Sequence, residues 1–345
     1  MHPVGMTERI PAVGFAAPLP IDDEQSLQDV LVDVPDLRPH DLLVEVRAVS
    51  VNPVDVKVRA SREPKADRPE VLGYDAAGVV REVGPEVTLF AAGDEVFYAG
   101  ALDRPGTNAG LHAVDERIVG RKPESLGFAE AAALPLTAIT AWEGLFDKLR
   151  LTRESRGTLL VVGASGGVGS VVLQLAEHLL PAVRVIATSS RPETDEWVRG
   201  LGAEATVDHR GDLRAEIADA APDGVDWIFT MNSEGQLPLY VDVLNPFGEI
   251  VAIDDPKAVD VVALKSKALT WHWEFMFARS LHDARDLIEQ HRLLDEVSRL
   301  VDVGALRTTL TKTLTPIDAT QLREAHRLVE SGRTIGKVVV AREAD

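Results

Sequence analysis

Residues 158–175, Thr-Leu-Leu-Val-Val-Gly-Ala-Ser-Gly-Gly-Val-Gly-Ser-Val-Val-Leu-Gln-Leu, leave few folds open to this chain. The apolar run Leu159 to Val162, bounded by glycine, has the form of a parallel strand covered on both faces. Gly163, Gly166, Gly167 and Gly169 then let the backbone turn sharply and come close to a ligand, and Val171, Val172 and Leu175 open a helix with apolar spacing. A helix start presents free amides and a positive dipole end. In a strand–loop–helix unit the usual anion drawn there is a dinucleotide pyrophosphate. The six residues Ala164, Ser165, Gly166, Gly167, Val168 and Gly169 read AxGxxG, one glycine short of the strict fingerprint. An ordinary glycine turn is therefore the alternative, and the rest of the chain has to decide.

Downstream of this stretch strands and helices alternate. Strands are expected over Arg184 to Thr188, Val225 to Thr230 and Glu249 to Ile253, with helices over Glu193 to Leu201 and Leu237 to Leu244. That alternation implies a parallel sheet with helices on both faces, an α/β fold. Upstream, from Pro11 to about Phe128, the texture is β-rich. Leu42 to Val49 alternates like a half-buried strand, Ala77 to Val83 and Glu95 to Tyr98 are further strands, and Arg38-Pro39, Asn52-Pro53, Gly84-Pro85 and Gly93-Asp94 mark turns. Phe128 to Leu149 is rich in alanine and leucine at helical spacing, so a domain boundary is placed near Phe128. A helix around Asp283 to Val303, a strand Thr308 to Leu314, a helix Asp318 to Ser331 and a strand Gly336 to Val340 could complete either domain. Met1 to Ile10 look like a loose extension, with Met6 as a second candidate start.

Composition narrows the partners. A chain of 345 residues suggests two domains, and 55 acidic against 36 basic residues give a formal charge of -19, which repels phosphate backbones and anionic lipid. Nucleic acid and membrane are thus not expected partners. The absence of cysteine excludes disulfides and thiolate zinc sites and fits a reducing, cytoplasmic setting. No signal peptide or apolar span is evident.

Asn52 to Arg59 (NPVDVKVR), Leu72 to Val80 (LGYDAAGVV), Ala131 to Phe146 (AAALPLTAITAWEGLF), Gly163 to Gly169 and Ile335 to Val340 (IGKVVV) carry a resemblance. Over nearly its whole length the chain resembles the medium-chain dehydrogenase/reductase superfamily. Within it the likeness is to zinc-free quinone oxidoreductases of the subgroup labelled zinc-type alcohol dehydrogenase-like proteins, supported by Ile253 to Asp260 and Ile288 to Val297. The resemblance implies a GroES-like β-rich catalytic domain (residues 1–128 and 276–345), an inserted Rossmann NADP-binding domain (residues 129–275) and a homodimer. Trp271 to Phe277, the most aromatic run, is expected to be a strand at the sheet edge, where relatives often pair.

In the superfamily's alcohol dehydrogenases a cysteine, a histidine-glutamate pair and a later cysteine or acid hold catalytic zinc. Tyr74-Asp75 stands here in place of that pair, and the nine histidines are scattered. No metal is expected. Without a Lewis acid, alcohol oxidation is disfavoured, whereas hydride delivery to a quinone or α,β-unsaturated carbonyl needs only donors for the developing oxyanion. The second strand ends in Ser189-Ser190-Arg191 rather than an acid, which suits a 2′-phosphate and hence NADPH. Asp208 and His209, after the third strand, are assigned to the same pocket, and Asn232 to the carboxyl end of a parallel strand.

By resemblance Asn52 and Asp55 lie near the nicotinamide and substrate, Tyr74 stands at the zinc-ligand position, and Tyr98 has a similar claim. Thr137 matches the helix beside the nicotinamide, and Gly336 and Lys337 match a C-terminal turn reaching the cofactor. Structural roles compete at each: a turn bond for Asn52, an ion pair for Asp55, core packing for Tyr74. The expected activity is NADPH-dependent reduction of quinones or enones. Alternatives are a zinc-independent carbonyl or alcohol dehydrogenase and a non-catalytic NADPH-binding sensor.

Overall fold

A computed structural model describes residues 9–64 and 69–343, so of the loose extension expected over Met1 to Ile10 all but the last two residues lie outside the described residues; Arg9 and Ile10 instead open a strand, paired with Asp33 and Val32. The chain divides into two compact units, one formed by Met1–Leu136 with Phe277–Asp345, the other by Thr137–Met276.

The first unit is built on the eleven-residue strand Asp41–Val51. In a seven-stranded sheet it lies between Lys337–Ala341 and Ala76–Val83, both antiparallel to it, and Leu111–Asp115 also pairs with it. The alternation of Leu42 to Val49 predicts a half-buried strand, yet nine of the eleven residues are buried. Only Glu45 and Arg47, the polar positions of the alternation, stay half-buried; at both ends of the strand packing covers the second face as well, where Asp41, Leu43, Val49 and Val51 are buried. The C-terminal strand Lys337–Ala341 is buried throughout, so the tail belongs to this β-rich unit. Arg9–Phe15 pairs with Gln28–Asp33 and Glu70–Val71 in a separate three-stranded sheet.

Asn52-Pro53 is a helix start rather than a simple turn. Asn52 is the N-cap of the helix Pro53–Ser61, Pro53 takes the first helical position, and the Asp55 carboxylate reaches back to the Asn52 amide at 2.8 Å. The expected helix Phe128 to Leu149 is interrupted: Phe128–Ala132 ends before Pro135, which opens Pro135–Trp142, and a wider turn of helix follows over Glu143–Lys148.

The second unit is a six-stranded parallel sheet. Its order is Ala205–Val207, Val183–Thr188, Gly157–Val162, Val225–Thr230, Leu244–Ala252, Thr270–Trp273, the strand order 3-2-1-4-5-6 of a doubly wound dinucleotide fold. Leu160, Ile186, Ile228 and Ile250, one from each central strand, are fully buried in its core. The expected strand from Trp271 to Phe277 is shorter than the aromatic run, ending at Trp273, and it does form the sheet edge.

Candidate functional site

In the parallel-sheet unit the first strand ends at Val162 and the chain turns through Gly163, at φ +83°, into the helix Gly167–Leu179. Gly163 donates its amide to Thr188 Oγ1 at 3.0 Å, so the end of the second strand fixes the turn. Gly166 is the helix N-cap and offers no side chain to the first amides, which leaves them for an anion. A Cβ on Gly169 would lie 2.5 Å from Ala164 Cα, showing how closely helix and turn approach, while one on Gly166 would meet only the Gly163 oxygen at 3.5 Å. The cradle therefore fits a dinucleotide pyrophosphate. Ser165, Gly167 and Val168 lie half-buried along its rim, and Ala164 is buried beneath it.

A cavity of about 310 Å³ opens beside the end of the second strand, lined by Ser189, Ser190, Arg191, Asp208 and Glu216 among others. Ser189 is buried, its hydroxyl 2.7 Å from Thr194 Oγ1. Arg191 lies 3.6 Å from Glu193. Asp208 is half-buried with its amide bonded to Glu216, and His209 is exposed. Asn232 is exposed past the fourth strand, its amide on Thr230 Oγ1 at 3.1 Å and its carbonyl accepting from Tyr240 at 2.9 Å. Thr137 is buried in its helix.

In the β-rich unit Asn52, Asp75 and Lys337 meet in one buried cluster. Asn52 Nδ2 donates to Asp75 Oδ2 at 2.8 Å, and Lys337 Nζ donates to the same oxygen at 3.1 Å, to Val51 O at 3.2 Å and to Asn52 Oδ1. Three acceptors match the three hydrogens of an ammonium. The second Asp75 oxygen accepts the Leu136 amide at 2.8 Å. Gly336, at φ +58°, supplies the left-handed bend that brings Lys337 in.

Asp55, beside this cluster, is buried, and its Oδ1 meets no hydrogen-bond partner among the described residues. Burial pushes its carboxyl up to about 7, against the pull of the Asn52 amide and the Lys337 charge. Tyr74 is buried with its ring edge-on to Phe277 at 5.4 Å. Burial pushes its phenol pKa up to about 12, outweighing the downward pull of the Arg62 guanidinium, which holds Glu70 at 2.7 Å. Tyr98 is fully buried and its hydroxyl sits 3.1 Å from His112 Nδ1; burial drives its ionisation far out of reach. Sequence reasoning does not single out Arg62, Asp75 or Glu70 as site residues. Asp75 stands beside Tyr74 in the LGYDAAGVV motif, but nothing local signals its partner Lys337; for Arg62 no local signal exists.

With this geometry the chain is placed by comparison. The domain description "Alcohol dehydrogenase GroES-like domain" matches residues 38–143, and "Zinc-binding dehydrogenase" matches residues 201–340. The fold and its nucleotide cradle define a nicotinamide-dependent oxidoreductase, and the chain belongs to the medium-chain dehydrogenase/reductase superfamily. More particularly, it is 37% identical over 337 residues to a zinc-type alcohol dehydrogenase-like protein of Staphylococcus epidermidis, covering 95% of this chain and 98% of that protein. A crystal structure from Rhizobium etli CFN 42, described provisionally as a zinc-dependent alcohol dehydrogenase, is 50% identical with a TM-score of 0.93, covering 98% of this chain and 99% of that one. A 2-methylene-furan-3-one reductase of Solanum lycopersicum is 40% identical over 230 residues, 64% of this chain and 57% of that protein.

The relatives' names raise zinc, and the residues here do not fit it. The Asp75 carboxylate already accepts from an ammonium, a side-chain amide and a backbone amide. Among the described residues no group of three or more His, Cys, Asp or Glu side chains is arranged to hold a metal ion. No helix among them is long and apolar enough to cross a membrane.

Proposed function

We propose that this protein is an NADPH-dependent reductase of quinones or α,β-unsaturated carbonyls that works without a metal. The observation that carries the reading is the Asp75–Lys337–Asn52 cluster, which takes up a carboxylate at the superfamily's zinc-ligand position and leaves carbonyl polarisation to hydrogen-bond donors. The dihydronicotinamide, when bound, supplies a hydride. Tyr74 has the chemistry to stabilise the resulting negative charge, because a phenol O–H can donate to an oxygen gaining charge and the Arg62 cation acting on it favours negative charge there. A phenol held near 12 donates a hydrogen bond and does not release its proton at neutral pH. Asn52 orients this region through its N-cap, and Asp55, titrating near neutrality, is a candidate proton source. Tyr98 has its hydroxyl engaged by His112 and is given no chemical role.

NADPH is favoured over NADH because Ser189, Ser190 and Arg191 border the cavity where the adenosine ribose belongs, without an acid on that strand end. A steady-state screen of NADPH oxidation over quinones, enones and saturated aldehydes, with metal content measured in parallel, tests the reading. Turnover of enones or quinones by metal-free protein, reduced at least about tenfold in Tyr74→Phe, is expected. Turnover confined to saturated carbonyls, or dependent on bound zinc, would overturn it, and tight NADPH binding with no turnover would favour a sensor.

A homodimer is part of the same proposal. Among the described residues Thr270–Trp273 pairs only with Leu244–Ala252, so it offers its other edge to a partner strand, with Trp273 and Phe275 half exposed beside it. Light scattering of the purified protein should give twice the chain mass of 37.3 kDa; a monomer at micromolar concentration rejects it.

A further inference from the structure

We infer that Arg210 is a second cation for the cofactor's 2′-phosphate and a determinant of NADPH specificity, an assignment that rests on the NADPH reading above. Arg210 belongs to the loop after the third strand, Ala205–Val207, yet its guanidinium reaches across to the carbonyl of Ser190, which follows the second strand. It is anchored from behind. Its backbone amide donates to Asp208 Oδ1 at 2.9 Å, and its Nε lies 3.9 Å from the same oxygen. The side chain is more than half exposed, so the fork is not desolvated before a ligand arrives.

Arg210, beside the cavity and not in its lining, thus brings a guanidinium to the carbonyl of Ser190, and Arg191, which lines the cavity, is the next residue in the chain. The balance of charge explains why both are needed. The cavity is also lined by Asp195, Asp208 and Glu216, which would repel a dianionic phosphate. Asp195 is tied to Arg199 at 2.9 Å and to Thr206, and Glu216 accepts the Asp208 amide. Asp208 faces Arg210, and Arg191 is shared with Glu193. Removing Arg210 leaves Asp208 uncompensated at the mouth, with Arg191 as the remaining cation beside Ser190. A planar fork also offers two parallel donors to a phosphate, which a lone ammonium cannot.

The test uses two fragments that differ only in the 2′-phosphate. Binding of 2′,5′-ADP and of 5′-AMP to the full chain is measured by calorimetry for the native protein and for Arg210→Met, Arg210→Lys and Arg191→Met, with thermal unfolding of each as a check on folding. The native protein should prefer 2′,5′-ADP. Arg210→Met should weaken 2′,5′-ADP about tenfold or more, leave 5′-AMP within about twofold and keep the melting temperature, with partial recovery in Arg210→Lys. If Arg191→Met abolishes the preference while Arg210→Met leaves it intact, the role of Arg210 is refuted and the NADPH reading stands. If the native protein binds both fragments equally, the NADPH reading fails and this inference with it.

Discussion

Lys337 Nζ lies 3.1 Å from Asp75 Oδ2, an ion pair sealed from solvent between residues 262 positions apart in the chain. The pair ties the last strand to the turn that follows Tyr74. A buried pair adds little net stability over an apolar pair, but breaking one half strands a charge. Lys337→Met should lower unfolding stability in urea by about 3–5 kcal/mol. Combining it with Asp75→Leu should cost clearly less than the sum of the two single changes; additivity would show that the pair is not coupled.

Asp55 makes stability depend on pH. Its carboxyl titrates near 7 in the folded chain against 3.8 in the unfolded one, so the contribution is full below about pH 4 and is lost as pH rises through 7. Asp55→Asn keeps an oxygen for the Asn52 amide and removes the titration. The variant should gain on the native protein between about pH 5 and 8, by an amount on the order of 3 kcal/mol, in denaturation curves run across that range. A difference that stays constant with pH would disprove the burial argument.

His326 shows the opposite sign. Both ring nitrogens are buried with no hydrogen-bond partner among the described residues, and burial together with the nearby Arg59 charge pulls its pKa down to about 3 from 6.5. Stability from keeping this ring neutral is present above 6.5 and is lost as pH falls toward 3. His326→Leu should stabilise the protein by about 1–3 kcal/mol at about pH 7.5, and the gain should widen by about 2 kcal/mol at about pH 5. Thermal or urea unfolding of the two proteins at both pH values measures it.

Gly169 and Gly166 should separate folding from binding. A Cβ at Gly169 would press on the Ala164 backbone at 2.5 Å, which has no room to yield, so Gly169→Ala should lower the melting temperature and abolish dinucleotide binding together. At Gly166 the protein itself has room, and a Cβ there would stand in the cradle proposed for the pyrophosphate. Gly166→Ala should melt like the native protein and bind the dinucleotide about tenfold or more weakly, as read by fluorescence titration.

The glycine turn and strand end proposed to hold the nucleotide are legible in the sequence because their information is local. A buried strand, a glycine turn and a helix start are adjacent along the chain, so Gly163 to Gly169 and the strand end at Ser189 to Arg191 can be read from composition and spacing. Val225 to Thr230 and Glu95 to Tyr98 have the bounds their patterns predict. The three-stranded sheet of Arg9–Phe15, Gln28–Asp33 and Glu70–Val71 is not legible, since its strands are short or far apart and pair through contacts no window contains. The same holds for Arg210. A basic residue after the third strand is visible in the sequence, but only the folded loop turns it toward Ser190.

The sequence by itself carried the motifs of the superfamily, the alternation of strands and helices and the glycine turn at a helix start, because motifs, periodicity and turn chemistry act over neighbouring residues; the order of the parallel strands came only with the fold. It also replaced the zinc-binding pair with Tyr74-Asp75 and supplied no cysteine. What became of those residues was decided only by tertiary structure. Lys337 and Asn52 converge on Asp75, Arg62 holds Glu70, and Tyr98 is claimed by His112. Lys337 comes from the far end of the chain and the other partners from a neighbouring strand or loop, and a buried polar group takes whichever partner the fold brings within reach because leaving it unpaired is costly.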